Sequence, residues 1–140
     1  DMNHPTYIKV ASVMKTEIRT IDPMSSVSEA MITMGKSGVS SLVIERRDEH
    51  DEYGLIVVSD IAKEVIAEGR SPDRVNVYEI MTKPTLTLDS EMDIKYGVRH
   101  LSRFGVSRGL VLNHDRDLVG IVTLRDMVLA YADVVEGVHV

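Results

Sequence analysis

The sequence predicts an α+β fold made of two β-α-β-β-α repeats that pack with pseudo-twofold symmetry through their sheets. Internal repetition, helical periodicity and paired short strands lead to this prediction. Met14 and Met81 lie 67 residues apart, and so do the triplets Gly38-Val39-Ser40 and Gly105-Val106-Ser107. A repeat of about 60 residues buries too little surface to be stable alone, so we expect the two copies to pack together.

Each repeat is expected to begin with a short strand, at 18–21 in the first copy and at 86–88 in the second. An amphipathic helix follows, because apolar residues recur at the spacing i, i+3, i+4 and i+7. These residues are Val27, Ala30, Met31 and Met34 in the first repeat and Ile94, Gly97, Val98 and Leu101 in the second.

Two adjacent strands are expected after that helix, since short aliphatic, β-branched runs flank a polar loop. The runs are 41–45 and 54–58 in the first repeat and 109–113 and 118–122 in the second. A second helix ends each repeat. Its apolar residues are Ile61, Val65 and Ile66 in the first copy and Met127, Val128 and Tyr131 in the second.

The repeats set the expected domain boundaries. We predict an N-terminal arm at 1–12, a first repeat at 13–68 and a second repeat at 77–132. A polar, turn-rich stretch at 69–76 is expected to link them, and 133–140 is expected to form a C-terminal tail.

Charge and composition narrow the classes of function. The 16 Lys and Arg residues against 22 Asp and Glu give a net charge of -6, which disfavours nucleic-acid binding. The longest aliphatic run, at 55–58, is far shorter than the roughly 20 residues that cross a membrane, and no signal-peptide pattern occurs. We therefore expect neither membrane insertion nor secretion. The lack of cysteine agrees with a cytoplasmic location.

The sequence offers no catalytic set and no metal site. The motifs GxGxxG, GxxxxGK(S/T) and HExxH are absent, and no nucleophile and base can be paired by spacing. The histidines, which are His4, His50, His100, His114 and His139, show no metal-ligand spacing. We predict that the chain is not an enzyme and that it holds no metal or catalytic cofactor.

The junction between the last strand and the last helix of the second repeat carries a hydroxyl and a carboxylate, at Thr123 and Asp126. The spacing Thr-x-x-Asp is that of a capping box at a helix start, which is the structural interpretation. Beyond the polar loop the offset between repeats is 66, so Asp60 matches Asp126 while Val57 replaces Thr123. Only the carboxylate is shared, and this favours an additional role for it.

The segment Gly-Ile-Val-Thr-Leu-Arg-Asp at 120–126 resembles the strand-helix motif that ends each cystathionine-β-synthase (CBS) domain. The tandem copies, the two Gly-Val-Ser triplets and the opening turns strengthen the resemblance, which covers residues 13 to about 132. Paired CBS domains, called a Bateman module, bind AMP, ADP, ATP, S-adenosylmethionine or related molecules in clefts between the two repeats. The resemblance therefore implies a regulatory sensor of an adenosine-containing ligand.

The resemblance also implies which residues of this sequence bind the ligand. In the first cleft Asp126 would bind the ribose hydroxyls, Thr123 a sugar or phosphate oxygen, and Arg108 a phosphate. The residues flanking the base would be Thr16, Ile18, Val39 and Ser40. The second cleft would use Asp60, Thr85, Leu86, Val106 and Ser107, but Val57 lacks the hydroxyl and Ser41 replaces Arg108.

Family modules pair through their helices, which implies a homodimer. An alternative remains open: the chain could be a structural or interaction module with empty clefts, in which Thr123 and Asp126 act only as a helix cap. The sequence also leaves open whether the chain acts alone or regulates a separately encoded enzyme or transporter.

Overall fold

The computed structural model describes residues 7–138, which form two compact units. One unit is continuous in sequence and comprises Ile18–Thr85. The other combines residues up to Glu17 with those from Leu86 onward. We call them the continuous unit and the split unit.

The elements follow one another in this order: α1 (Val10–Val13), α2 (Val27–Ser37), β1 (Ser41–Ile44), β2 (Gly54–Val57), α3 (Val58–Ile61), α4 (Val77–Ile80), β3 (Thr87–Asp89), α5 (Ile94–Arg103), β4 (Arg108–Leu112), β5 (Leu118–Thr123) and α6 (Leu124–Val138). A π-helical turn, Ala62–Ile66, extends α3, and a 3-10 turn lies at Pro72–Arg74. None of the helices between residues 7 and 138 is long and apolar enough to cross a membrane.

In the continuous unit β1 and β2 form an antiparallel hairpin. The predicted first strand at 18–21 is shorter than expected: it contributes one parallel bridge, between Thr20 and Val43. The reason lies at Pro23. The matching residue of the other repeat is Ser90, whose N–H donates to the carbonyl of Leu112 and extends the hydrogen-bonded ladder between the first two strands of that repeat. Proline has no N–H to donate, so the ladder of the first repeat stops before this position. The core of this unit consists of Val27, Ala30, Met34, Leu42, Ile44, Ile56, Ile61, Val65, Val75, Val77 and Ile80.

The split unit contains a sheet of three strands in the order β3-β4-β5. β3 and β4 are parallel, joined through α5, and β4 and β5 are antiparallel. Helices α5 and α6 approach closely at Gly97, where a Cβ atom would lie 2.9 Å from the sulfur of Met127. The core consists of Val10, Leu88, Ile94, Leu101, Val111, Val122 and Met127.

The segment before the first repeat belongs to the core of the split unit. Val10 is fully buried there, and its N–H donates to the carbonyl of Met92 at 2.8 Å. Residues 1–6 of the predicted arm lie outside the described residues. Helices α1 and α4 stand 67 residues apart, as Val-x-x-Val-Met and Val-x-x-Ile-Met. The duplication therefore includes a short helix before each opening turn, and α1 packs with α6 of the other repeat.

Candidate ligand-binding site

The start of α6 is closed by a reciprocal pair of hydrogen bonds. The N–H of Asp126 donates to Oγ1 of Thr123 at 3.0 Å, and the N–H of Thr123 donates to Oδ2 of Asp126 at 3.1 Å. This is the capping box that the spacing predicts, and it satisfies two donors at the helix start. It also fixes the Asp126 side chain in one orientation.

Lys15 supplies the second partner of the Asp126 carboxylate. Its Nζ lies 2.8 Å from Oδ1 of Asp126, and its side chain is 70% exposed while that of Asp126 is 10% exposed. The backbone of Lys15 is fixed against β5, since it exchanges two hydrogen bonds with Ile121 at 2.8 and 2.9 Å. This approach requires Gly120, where a Cβ atom would lie 2.9 Å from the Lys15 carbonyl oxygen.

Sequence reasoning missed Lys15. Its partner lies 111 residues away, and no local periodicity connects positions so far apart. The available signal was Gly120, since a glycine within a strand often marks a close approach of another backbone.

The electrostatics keep Asp126 ionised. Burial by itself would raise the pKa of this carboxyl, but the hydrogen bond and charge of Lys15, together with the hydrogen bonds to Thr123, outweigh it and lower the pKa. An ionised carboxylate accepts about four hydrogen bonds through its two oxygens. The cap and Lys15 use two of these positions, so Asp126 can still accept hydrogen bonds from a ligand.

The structure places four of the predicted site residues in the split unit. Arg108 opens β4 directly opposite Thr123 in the antiparallel register, and it is partly buried. Thr16 follows Lys15 and is exposed. Thr123 and Asp126 contact each other through the cap. Arg108, Thr123 and Asp126 are thus brought together at the end of β5.

The other three predicted residues of the first cleft belong to the continuous unit. Ile18 is partly buried at the beginning of that unit. Val39 follows Gly38, whose positive φ of 66° ends α2, and Ser40 accepts the N–H of Val58 at 3.0 Å through its carbonyl oxygen. Val39 also packs against the core.

The matching junction of the first repeat lacks the cap. No side chain caps α3 at Val57, and the carboxylate of Asp60 makes no hydrogen bond or ion pair with any residue between 7 and 138. Thr82 takes the place of Lys15 and forms the equivalent bridge, with Leu55. The cation of this repeat stands one position later, at Lys83, whose Nζ lies 3.0 Å from the Asp51 carboxylate.

The remaining residues of the predicted second site divide between the two units. Thr85 ends the continuous unit and donates its N–H to the carbonyl of Tyr53 at 3.3 Å. Leu86, in the split unit, accepts the N–H of Leu110 at 3.0 Å. Val106 and Ser107 are exposed in the turn before β4, and the Ser107 carbonyl accepts the N–H of Leu124 at 2.9 Å.

No group of three His, Asp or Glu side chains within residues 7–138 could hold a metal ion. His4 and His139 lie outside this range.

Comparison with known proteins assigns the family. The model of the CBS domain matches residues 10–67 and 77–133, so the chain belongs to the CBS domain family. The hexameric CBS-CP12 protein from bloom-forming cyanobacteria is 29% identical, with a TM-score of 0.84 over 89% of this chain and 68% of that one. The CBS domain pair of protein MJ0100, solved with 5'-methylthioadenosine and S-adenosyl-L-methionine, is 26% identical, with a TM-score of 0.76 over 91% of this chain and 98% of that one.

Curated relatives extend well beyond the matched region. The uncharacterized protein MK0525 of Methanopyrus kandleri is 29% identical over 86% of this chain and 61% of its own length. A homoserine O-acetyltransferase of Methanobrevibacter ruminantium is 30% identical over 81% of this chain but only 22% of its own length. The chain thus spans less than two thirds of these relatives. CBS domain proteins are generally regulatory rather than catalytic.

Proposed function

We propose that this chain is a regulatory module that binds an adenosine-containing ligand at Asp126 and Thr123. The observation that carries the proposal is the Asp126 carboxylate, which is nine-tenths buried, held ionised and fixed at the start of a 15-residue helix. The complex of the MJ0100 domain pair with 5'-methylthioadenosine and S-adenosyl-L-methionine supports the ligand class. AMP, ADP and ATP belong to the same class.

The chemistry of the site suits a ribose. A carboxylate can accept hydrogen bonds from both hydroxyls of a cis-diol, and each bond to a charged group contributes about 1.5 to 3 kcal/mol, or about tenfold or more in affinity. Thr123 supplies a hydroxyl beside it. Arg108 offers the planar pair of donors that suits a phosphate.

The rest of the proposed site follows the family resemblance. Thr16, Ile18, Val39 and Ser40 flank the base. A second, weaker site uses Asp60, Thr85, Leu86, Val106 and Ser107, and its weakness follows from the missing cap and cation. Binding regulates only if the ligand has different affinities for two states of the module or of its assembly with a partner.

Thermal unfolding tests this function. The purified chain is heated with AMP, ADP, ATP, S-adenosylmethionine, 5'-methylthioadenosine, NAD and, as a control, GMP. A ligand at about 100 times its Kd stabilises by about 2.7 kcal/mol, which shifts the Tm by several degrees. We expect a shift with adenosine compounds alone, lost in Asp126→Asn and retained in Asp60→Asn. If no compound shifts the Tm, the structural role of the cap is the surviving function of Thr123 and Asp126.

Self-association is part of the proposal. Val128, Leu129 and Val135 of α6 are each about half exposed. In the continuous unit α2 and α3 with its π-helical turn flank an apolar groove of about 420 Å³, lined by Met31, Met34, Gly35, Gly38, Val39, Val58, Ile61, Ala62 and Ile66. These helix surfaces support a homodimer, which light scattering after gel filtration would measure. A cytoplasmic location and a regulated enzyme or transporter stay predictions.

A further inference from the structure

Lys15 shares the carboxylate that the proposed ligand needs. Its ammonium group lies 2.8 Å from Oδ1 of Asp126, although 70% of its side chain is exposed. The backbone of Lys15 is fixed by its two hydrogen bonds to Ile121, so only the flexible side chain can change partner. The matching position of the other repeat is Thr82, which has no charge.

Two cationic side chains belong to the proposed site. Lys15 lies against Asp126, and Arg108 opens β4 directly opposite Thr123 in the antiparallel register. A positive charge attracts a phosphate and repels a cation, and it is felt more strongly beside a buried carboxylate than in water.

Ligand binding changes the partners of Lys15. A ribose that hydrogen-bonds to both oxygens of Asp126 shares Oδ1 with the ammonium group, which weakens the ion pair. If the ligand is uncharged, Lys15 gains no partner in return. If the ligand carries a phosphate, Lys15 can transfer to it, because an ammonium group on a long flexible side chain binds phosphate as a point charge.

We infer that Lys15 selects the charge of the ligand, so that phosphate-bearing adenosine compounds bind in preference to uncharged ones and to the sulfonium compound S-adenosylmethionine. This inference rests on the proposed function and names the ligand class within it. The selectivity originates in one side chain of the opening turn, whereas Asp126 and Thr123 recognise the sugar that all these ligands share.

Calorimetric titration at fixed ionic strength tests the inference. The ligands are AMP, adenosine and S-adenosylmethionine, and the variants are Lys15→Thr, which copies position 82, and Lys15→Arg, which keeps the charge. Lys83→Thr is the matched control, since it removes the same charge from the continuous unit. We expect the parent to bind AMP at least about tenfold more tightly than adenosine, and Lys15→Thr to reduce this ratio about tenfold.

The outcomes separate the two proposals. Lys15→Arg and Lys83→Thr should keep the parent ratio within about twofold, and urea unfolding would verify that each variant is folded. The inference about selectivity is overturned if Lys15→Thr has the same ratio of AMP to adenosine affinity as the parent. It is also overturned if the parent binds adenosine or S-adenosylmethionine more tightly than AMP. Both outcomes leave the proposed function intact. A parent that binds none of the adenosine compounds overturns both.

Discussion

The capping box at the start of α6 predicts a measurable loss of stability for Thr123→Val. Valine has nearly the shape of threonine, and it is the residue at the matching position 57. The substitution removes Oγ1 and leaves the N–H of Asp126, now 3.0 Å from that oxygen, without its acceptor. Replacing a capping side chain costs about 0.5 to 2 kcal/mol. The reverse bond, from the Thr123 backbone to Asp126, is retained, so we expect about 1 kcal/mol.

Urea unfolding monitored by circular dichroism measures this loss. With an m-value of about 2 kcal/mol/M, a loss of 1 kcal/mol lowers the midpoint by about 0.5 M without changing the slope. The converse substitution, Val57→Thr, gives α3 the cap it lacks and is expected to raise the midpoint. A Thr123→Val variant with the parent midpoint would refute a structural role for the cap. A Val57→Thr variant less stable than the parent would show that the two junctions are not equivalent.

Three further predictions concern the surroundings of the site. Gly120→Ala would bring a Cβ atom to 2.9 Å from the rigid carbonyl of Lys15 and should lower the free energy of unfolding by about 1 to 3 kcal/mol. Gly54→Ala, whose nearest contacts are 3.3 Å, should lower it less. Equal urea midpoints for the two variants would contradict this. The pKa of Asp126 is lower in the folded state than in the unfolded state. The ionised side chain therefore contributes its full share to the free energy of unfolding above the unfolded pKa of about 4, and this share is lost as the pH falls through the folded pKa. The stability difference between the parent and Asp126→Asn should therefore shrink in urea titrations from pH 7 to pH 3, and a constant difference would argue against an ionised partner. Val10→Ala removes two fully buried methyl groups and should cost about 2 kcal/mol, whereas a loss below about 0.5 kcal/mol would show that α1 is not part of the core.

The regular elements could be predicted because their signals are local. The spacing of Val27, Ala30 and Met34 makes one face of α2 apolar, and all three are buried. The strand at 18–21 was overestimated because repeat matching treats the two copies as equal. The offset of 67 pairs Pro23 with Ser90, and a single missing N–H shortens the ladder.

The features that sequence reasoning missed depend on long-range contacts. Val10 lies in the predicted N-terminal arm, yet it is buried in the same core cluster as Met127, more than 100 residues away in sequence. The pair of Lys15 and Asp126 is of the same kind. Repetition predicts which positions correspond, but it does not predict which segment of one copy packs with the other. Which segments pack together depends on the length and direction of the chain that connects the copies, and composition does not encode these.

The cap and the ligand-binding role of Asp126 are compatible, and the first supports the second. A carboxylate that binds a ribose from a mobile side chain loses rotamer entropy on binding, which reduces affinity. At Asp126 the two hydrogen bonds with Thr123 have already fixed the side chain, and most of its desolvation has occurred during folding. The side chain of Asp60 is not fixed in this way, because Val57 supplies no cap and Thr82 no cation. The duplicated carboxylates therefore differ in preorganisation as well as in charge, and for both reasons the site in the split unit should bind an adenosine nucleotide more tightly.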